Sequence, residues 1–242
     1  MISIKNILGK IADAFYPRIC PGCGELSDRP ERYLCWSCFS SIPLFTGDLC
    51  DQCGSMITAH VSHRFICSAC RVDRPAFDRV RAAAHFTGGI RKQIHAFKYQ
   101  NALWLKRDFA DLLEGCLMAH FDIDAIDAVL PVPLHPVRQR ERTYNQSAIL
   151  AGELARRLDR RLDTRSLIRI KQTGTQTRLH ARERHKNMAH AFQVVRPEWV
   201  RGRTLLVVDD VMTTGATLDA CAKELKKAGA RRVWGIALAR GV

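Results

Sequence analysis

The chain has 242 residues, 47% of them hydrophobic and 26% charged, with a net charge of +14. That length allows one or two domains, and the apolar content suffices for a sizeable core. No apolar run approaches the roughly 18 to 20 residues that span a bilayer, so no membrane span is expected. The opening segment, MISIKNILGKIADAFYP, lacks the form of a signal peptide. Its apolar residues Ile4, Ile7, Leu8, Ile11 and Phe15 recur at helical spacing, broken by Lys5, Lys10 and Asp13. The pattern predicts a short amphipathic helix packed on its own protein, with a partner or membrane surface as the alternative, and the missing signal peptide leads to an expected cytoplasmic location.

Four C-x-x-C pairs follow: Cys20/Cys23, Cys35/Cys38, Cys50/Cys53 and Cys67/Cys70, with gaps of 11, 11 and 13 residues between them. Two thiolates separated by two residues reach one tetrahedral zinc ion, and two such pairs close a shell of four sulfurs. Four pairs therefore predict two structural zinc ions. Joining adjacent pairs gives two zinc ribbons in tandem, which is the favoured reading. Spacing alone leaves open a cross-braced arrangement, first pair with third and second with fourth. A disulfide framework needs an oxidising compartment, which the missing signal peptide argues against. His60 and His63 lie inside the second ribbon and read as exposed loop residues rather than substitute ligands. Cys116 and Cys221 stand apart, at helical core positions, and read as small buried hydrophobes.

Arg71 to Pro75 reads as a linker. Phe77 to Phe86 is strand-like and turns at Gly88-Gly89, and Ile90 to Tyr99 (IRKQIHAFKY) is a basic amphipathic helix. Leu103 to Phe121 reads as a further helix. Then strands and helices alternate. A buried strand runs from Ile126 to Val132, a helix from Asn145 to Leu158 and a short strand from Leu167 to Ile170. A polar segment from Gln172 to Ala189 precedes strands at Phe192 to Val195 and Thr204 to Val208. A helix from Leu218 to Ala228 and a strand from Val233 to Leu238 close the pattern. This alternation predicts an α/β fold, a doubly wound parallel sheet that binds ligands beyond the carboxyl ends of its strands. Between Arg138 and Lys186 there are 14 Lys and Arg against 5 acids, and Arg outnumbers Lys 12 to 2. Such a field attracts phosphates, on a nucleotide or on a nucleic-acid backbone, and Arg is the better bidentate partner.

The most informative stretch is LLVVDDVMTTGAT, Leu205 to Thr217. Asp209 and Asp210 are expected at the carboxyl end of a central strand. Thr213, Thr214, Gly215, Ala216 and Thr217 then lead into a helix, whose first N–H groups and partial positive charge form a phosphate site. The carboxylates accept hydrogen bonds from adjacent sugar hydroxyls or hold waters of a magnesium ion. Together they describe a ribose-5-phosphate site.

VVDDVMTTGATL resembles the phosphoribosyl pyrophosphate (PRPP) motif of type I phosphoribosyltransferases. The multi-cysteine N-terminus, HAFKYQ, PVPLHPVRQRERTYNQSAILAGELA, QTRLHARERHKNMAHAF and this motif stand in the order seen in the ComF family, and the likeness covers nearly the whole chain. The resemblance implies a double zinc ribbon at residues 1–75, a connecting or hood segment at 76–125 and a phosphoribosyltransferase-like domain at 126–242. It also implies that Asp209 and Asp210 contact ribose hydroxyls and act as the catalytic carboxylates. Thr213 to Thr217 would hold the 5′-phosphate. Pro131 to Arg138 is placed like the pyrophosphate loop. Arg178, Arg182, Arg184 and Lys186 fall where a loop closes over pyrophosphate, and Asn145 and Gln146 fall beside the pocket. One departure is visible: Arg142-Thr143-Tyr144-Asn145-Gln146 stands where the family often has a glycine second, which is expected to alter a turn near the pocket.

Two functions follow from the resemblance and the charge. One is magnesium-dependent transfer from PRPP to an acceptor, linked to DNA uptake or DNA utilisation. The other is a non-catalytic PRPP or nucleotide sensor that binds single-stranded DNA, or competence and DNA-processing proteins, as an adaptor. With the last strand ending near the end of the chain, any hood that reads the acceptor is expected before residue 125. No stacking array of aromatics among the basic residues is evident in the sequence.

Overall fold

The computed structural model describes residues 17–57, 64–171 and 190–241. The predicted N-terminal helix, His60, His63 and the polar segment with Arg178, Arg182, Arg184 and Lys186 lie outside these residues. Two short helices belong to the cysteine-rich part, α1 (Trp36–Ser40) and α2 (Ser68–Val72). Arg71 and Val72, expected in a linker, therefore close a helix that starts just after Cys67.

The main body begins with β1 (Arg79–His85) and α3 (Gly88–Tyr99). The single helix expected next is a 3-10 turn at Leu103–Leu105 running into α4 (Lys106–His120). Then come β2 (Ala128–Pro131), α5 (Pro136–Arg142), α6 (Gln146–Leu158) and β3 (Arg161–Leu162). β4 (Leu167–Arg169) and β5 (Phe192–Val194) pair antiparallel, as a separate two-stranded ribbon. α7 (Pro197–Val200), β6 (Thr204–Met212), α8 (Ala216–Lys227) and β7 (Arg232–Arg240) complete the fold.

The main sheet has five strands in the order β1-β7-β6-β2-β3, and every pairing in it is parallel. Its central strands are apolar because both faces are covered. Leu206, Val208, Ile236 and Leu238 pack with α3, α4 and α6 on one side. Leu205, Val207, Val233 and Ala237 pack with α8 on the other. This alternation follows from the two-residue period of a strand.

The cysteine-rich part is built onto the sheet. Cys20 and Cys35 join the first core, and Cys50, Cys53 and Cys70 join the second. The chain between the two quartets runs along the outer edge of β1. Leu44 bridges antiparallel to Ala84, and the His85 N–H donates to the Pro43 carbonyl at 2.8 Å. The Val80 N–H donates to the Gln52 carbonyl at 2.7 Å. Covering of this kind satisfies part of the hydrogen-bonding edge of β1.

β6 is longer than its sequence suggested. The apolar run ends at Val208, but the ladder with β7 continues through Met212 opposite Arg240. β2, on the other side, stops at Pro131 opposite Val208. Asp209 and Asp210 therefore sit within the strand, where one neighbour has ended and the other goes on.

Candidate functional site

The cysteines form two groups, Cys20, Cys23, Cys35 and Cys38, and Cys50, Cys53, Cys67 and Cys70, each with its sulfurs within 4.8 Å of one another. This is the tandem pairing rather than the cross-braced one. The Sγ atoms of Cys23 and Cys35 are 3.7 Å apart, as are those of Cys53 and Cys67. A tetrahedron with Zn–S bonds of about 2.3 Å has edges of about 3.8 Å, so the donor set fits zinc. None of the cysteines is in a disulfide. Backbone N–H groups of Gly22 and Cys35 donate to Cys20 Sγ at 3.4 Å, which supports a thiolate there. A Cβ on Gly22 would lie 2.7 Å from Cys38 Sγ, so the knuckle closes only around glycine. Cys116 is half-buried against the first core and Cys221 is fully buried in the second, as small hydrophobes.

The carboxylate pair lies in the crevice beyond the end of β2. Asp209 Oδ1 accepts from the Ser147 hydroxyl at 3.1 Å and from the Asp210 N–H at 2.9 Å. Desolvation, and then the neighbouring Asp210 charge, push the Asp209 carboxyl up to about 7. Asp210 is buried and pairs with Lys98, whose Nζ is 2.8 Å from Oδ1. Immediately beyond, Thr213 to Thr217 ring a hollow of about 40 Å³ together with Asp209, Val211, Met212 and Leu218. Gly215 is the N-cap of α8 with φ of +82°, a conformation that side chains resist. Thr217 and Leu218, whose first-turn N–H groups have no partner within the helix, line the hollow at the positive end of the helix dipole. The Thr214 hydroxyl already caps the Ala216 N–H at 3.3 Å.

Other residues expected at the site hold its frame. Asn145 is the N-cap of α6: its Oδ1 accepts from the Ala148 N–H, and its Nδ2 donates to the Val132 carbonyl at 3.0 Å. That bond ties α6 to the loop after β2. Gln146 is 1% exposed; its Nε2 donates to the Lys98 carbonyl at 3.2 Å and its Oε1 accepts from Arg142. Arg138 is half-buried on α5, directly after the Pro131–His135 loop.

Lys98 and Ser147 were not singled out by the sequence. Lys98 lies on α3, and only folding brings it to Asp210. Its one signal was its place within HAFKYQ. Ser147 is the second residue of α6, and no local pattern marks it. A third omission is an aromatic group on the first cysteine unit. Trp36 is 61% exposed and stacks on Phe39 with ring centroids 6.2 Å apart. The Arg29 guanidinium lies 3.7 Å from the Phe39 centroid, and Tyr33 packs on the half-exposed Trp104 at 5.9 Å. These residues are scattered between 29 and 104, so no local pattern announced them.

Residues 11–71 match the family model of the double zinc ribbon domain, and residues 145–241 that of the phosphoribosyl transferase domain. Fold and cysteine geometry thus define a protein with two four-cysteine zinc-ribbon sites joined to a phosphoribosyltransferase-like domain. Competence protein F of Haemophilus influenzae is 34% identical over 213 residues, covering 85% of this chain and 90% of that protein. DNA utilization protein YhgH of Salmonella typhimurium is 30% identical over 214 residues, 83% of this chain and 93% of that one. Competence protein ComFC of Bacillus subtilis is 24% identical over 212 residues, 83% of this chain and 81% of that one. The chain belongs to the ComF family. Among the described residues, no helix is long and apolar enough to cross a membrane.

Proposed function

We propose that the protein binds PRPP or a related ribose phosphate at Asp209 to Thr217 and serves DNA uptake or DNA utilisation in the cytoplasm. The observation that carries the reading is the carboxylate pair late in β6, beyond the end of β2, followed within a few residues by the N-terminus of α8. Sugar hydroxyls would donate to Asp209 and Asp210, and the 5′-phosphate would accept from the first-turn N–H groups of α8 and the threonine hydroxyls. Magnesium, held through waters by the carboxylates, would supply charge neutralisation for the pyrophosphate. In transfer, the C1′–oxygen bond to pyrophosphate breaks as an acceptor lone pair bonds to C1′, and the electron pair leaves with pyrophosphate. Arg138 and the basic residues Arg178, Arg182, Arg184 and Lys186 are the chain's candidates for stabilising that leaving charge.

The test is calorimetric titration with PRPP and magnesium, followed by a pyrophosphate-release screen over bases and amines. Asp209→Asn with Asp210→Asn should abolish binding without loss of fold. Unchanged binding by the double variant would overturn the site. Binding without pyrophosphate release across the screen would favour a sensor over a transferase.

A second reading, an adaptor for single-stranded DNA among DNA-processing partners, is favoured by the exposed Trp36 and its neighbours Phe39 and Arg29. Stacking of a base on an aromatic contributes about 1–3 kcal/mol. Trp36→Ala should therefore weaken oligothymidylate binding by about tenfold, in a salt-dependent background set by the +14 charge. Equal affinity of the variant in fluorescence anisotropy would remove this surface from the reading.

A further inference from the structure

We propose that Lys98 is a positioning residue of the ribose-phosphate site, the counter-ion by which α3 makes a pair of adjacent carboxylates compatible with a polyanionic sugar phosphate. The inference rests on the ribose-phosphate reading above and extends it to a residue more than a hundred positions away in sequence.

Lys98 is not a swinging surface lysine. Its side chain is 18% exposed and that of Asp210 12%, with 2.8 Å between Nζ and Oδ1. Its backbone is fixed by the segment that opens α6. The buried Gln146 amide donates to the Lys98 carbonyl, and the Tyr144 hydroxyl donates to the carbonyl of the fully buried Phe97. The same stretch of chain thus places Ser147 on Asp209 and Lys98 on Asp210, one partner for each carboxylate.

The two partners differ in what they do to charge. Ser147 donates a neutral hydrogen bond, whereas Lys98 brings a full positive charge to the pair. Asp210, joined by Asp209 once that carboxyl has ionised, repels any phosphate brought within several ångströms, and strongly so in a partly buried crevice where screening is weak. With Lys98 in place that repulsion is reduced at its source. Asp209, the other member of the pair, lines the hollow, while Lys98 holds Asp210 beside it. A purely structural pairing of α3 to β6 would give the same distance but a different response to ligand charge, and this separates the two roles.

The experiment titrates ribose 5-phosphate and, separately, unphosphorylated ribose into the full-length zinc-loaded protein at fixed magnesium. Wild type, Lys98→Met, Lys98→Arg and the Asp209→Asn/Asp210→Asn double variant are compared, with thermal melts to confirm folding. Lys98→Met is expected to weaken ribose 5-phosphate by at least about tenfold and to make its binding depend more steeply on magnesium. Lys98→Arg should restore most of the affinity, and any ribose binding should change far less. Should Lys98→Met fail to fold, Lys98→Gln carries the same expectation, since it keeps a hydrogen bond to Asp210 without the charge. Unchanged ribose 5-phosphate affinity in a folded neutral variant overturns the inference while leaving the site intact, provided the double variant has lost binding. Equal losses for ribose 5-phosphate and ribose also overturn it, because they signify a structural pairing. Absence of ribose 5-phosphate binding in wild type, or its retention in the double variant, overturns the underlying reading and the inference with it.

Discussion

Asp209, half-buried at the hollow, carries a carboxyl pushed up to about 7 by desolvation and then by the neighbouring Asp210 charge. Its proton is therefore held in the folded protein over a range where the unfolded chain has already released it. From the ordinary carboxylate range up to about pH 7, the folded state binds more protons than the unfolded state. Stability due to this group consequently falls as pH rises through that window and levels off above it. Urea unfolding of wild type and Asp209→Asn at about pH 5 and about pH 7.5 checks this. The variant is expected to lack the decline, and equal pH dependence of the two proteins would contradict it. The sequence shows the two adjacent acids but not how far each is withdrawn from solvent. That depends on Ser147 and Lys98, which arrive from different helices.

The turn between α5 and α6 is built on a residue whose backbone conformation favours glycine. Thr143 occupies the second position of the Arg142-to-Gln146 stretch, where glycine is common in the resembled family. It caps α5 with φ of +63°, in the left-handed region. A β-branched residue there is strained by about 1–3 kcal/mol. Its hydroxyl bonds the Arg142 carbonyl at 2.6 Å. The left-handed turn is held because Tyr144, Asn145 and Gln146 are all anchored just beyond. Thr143→Gly is therefore expected to raise stability by about 1 kcal/mol after the larger unfolded-state entropy of glycine is counted. Denaturant unfolding reads this directly, and a destabilised variant would show that the hydroxyl bond outweighs the strain. Strands and helices were legible from apolar periodicity, as for β2, α6 and β7. The ends were less so: β6 runs past its apolar residues because β7 continues to pair with it.

The whole molecule is organised around an edge. The cysteine units do not hang from the sheet; they pack on its two faces and line the outside of β1. The first unit is clamped to α4 by ions. Arg29 pairs with the fully buried Asp108 at 2.9 Å, and Arg32 and Arg157 both pair with Asp111. The second unit is tied to the functional end of the sheet. Arg240, opposite Met212 in the ladder, donates to the Cys53 carbonyl at 2.7 Å and to the Ser55 hydroxyl at 2.9 Å. Metal analysis is expected to find two zinc ions per chain. Because both units are part of the two cores, stripping the zinc should lower the thermal midpoint of the whole protein by at least about 10 °C. One zinc or none would contradict the two quartets, and an unchanged midpoint would contradict their integration.

By itself, the sequence determined what short-range chemistry dictates. C-x-x-C spacing specifies tetrahedral sulfur sites, and alternating apolar periods specify a parallel α/β sheet. A strand, two acids and a Thr-Gly turn specify a carboxylate pair beside a helix N-terminus. Each of these is written within a few dozen residues, where spacing alone constrains geometry. Only the tertiary structure decided how the cysteine pairs combine, that they straddle the sheet, and that Lys98 and Ser147 meet the two aspartates. Those contacts join residues many tens of positions apart, and their energies depend on burial and distance, which no local pattern encodes.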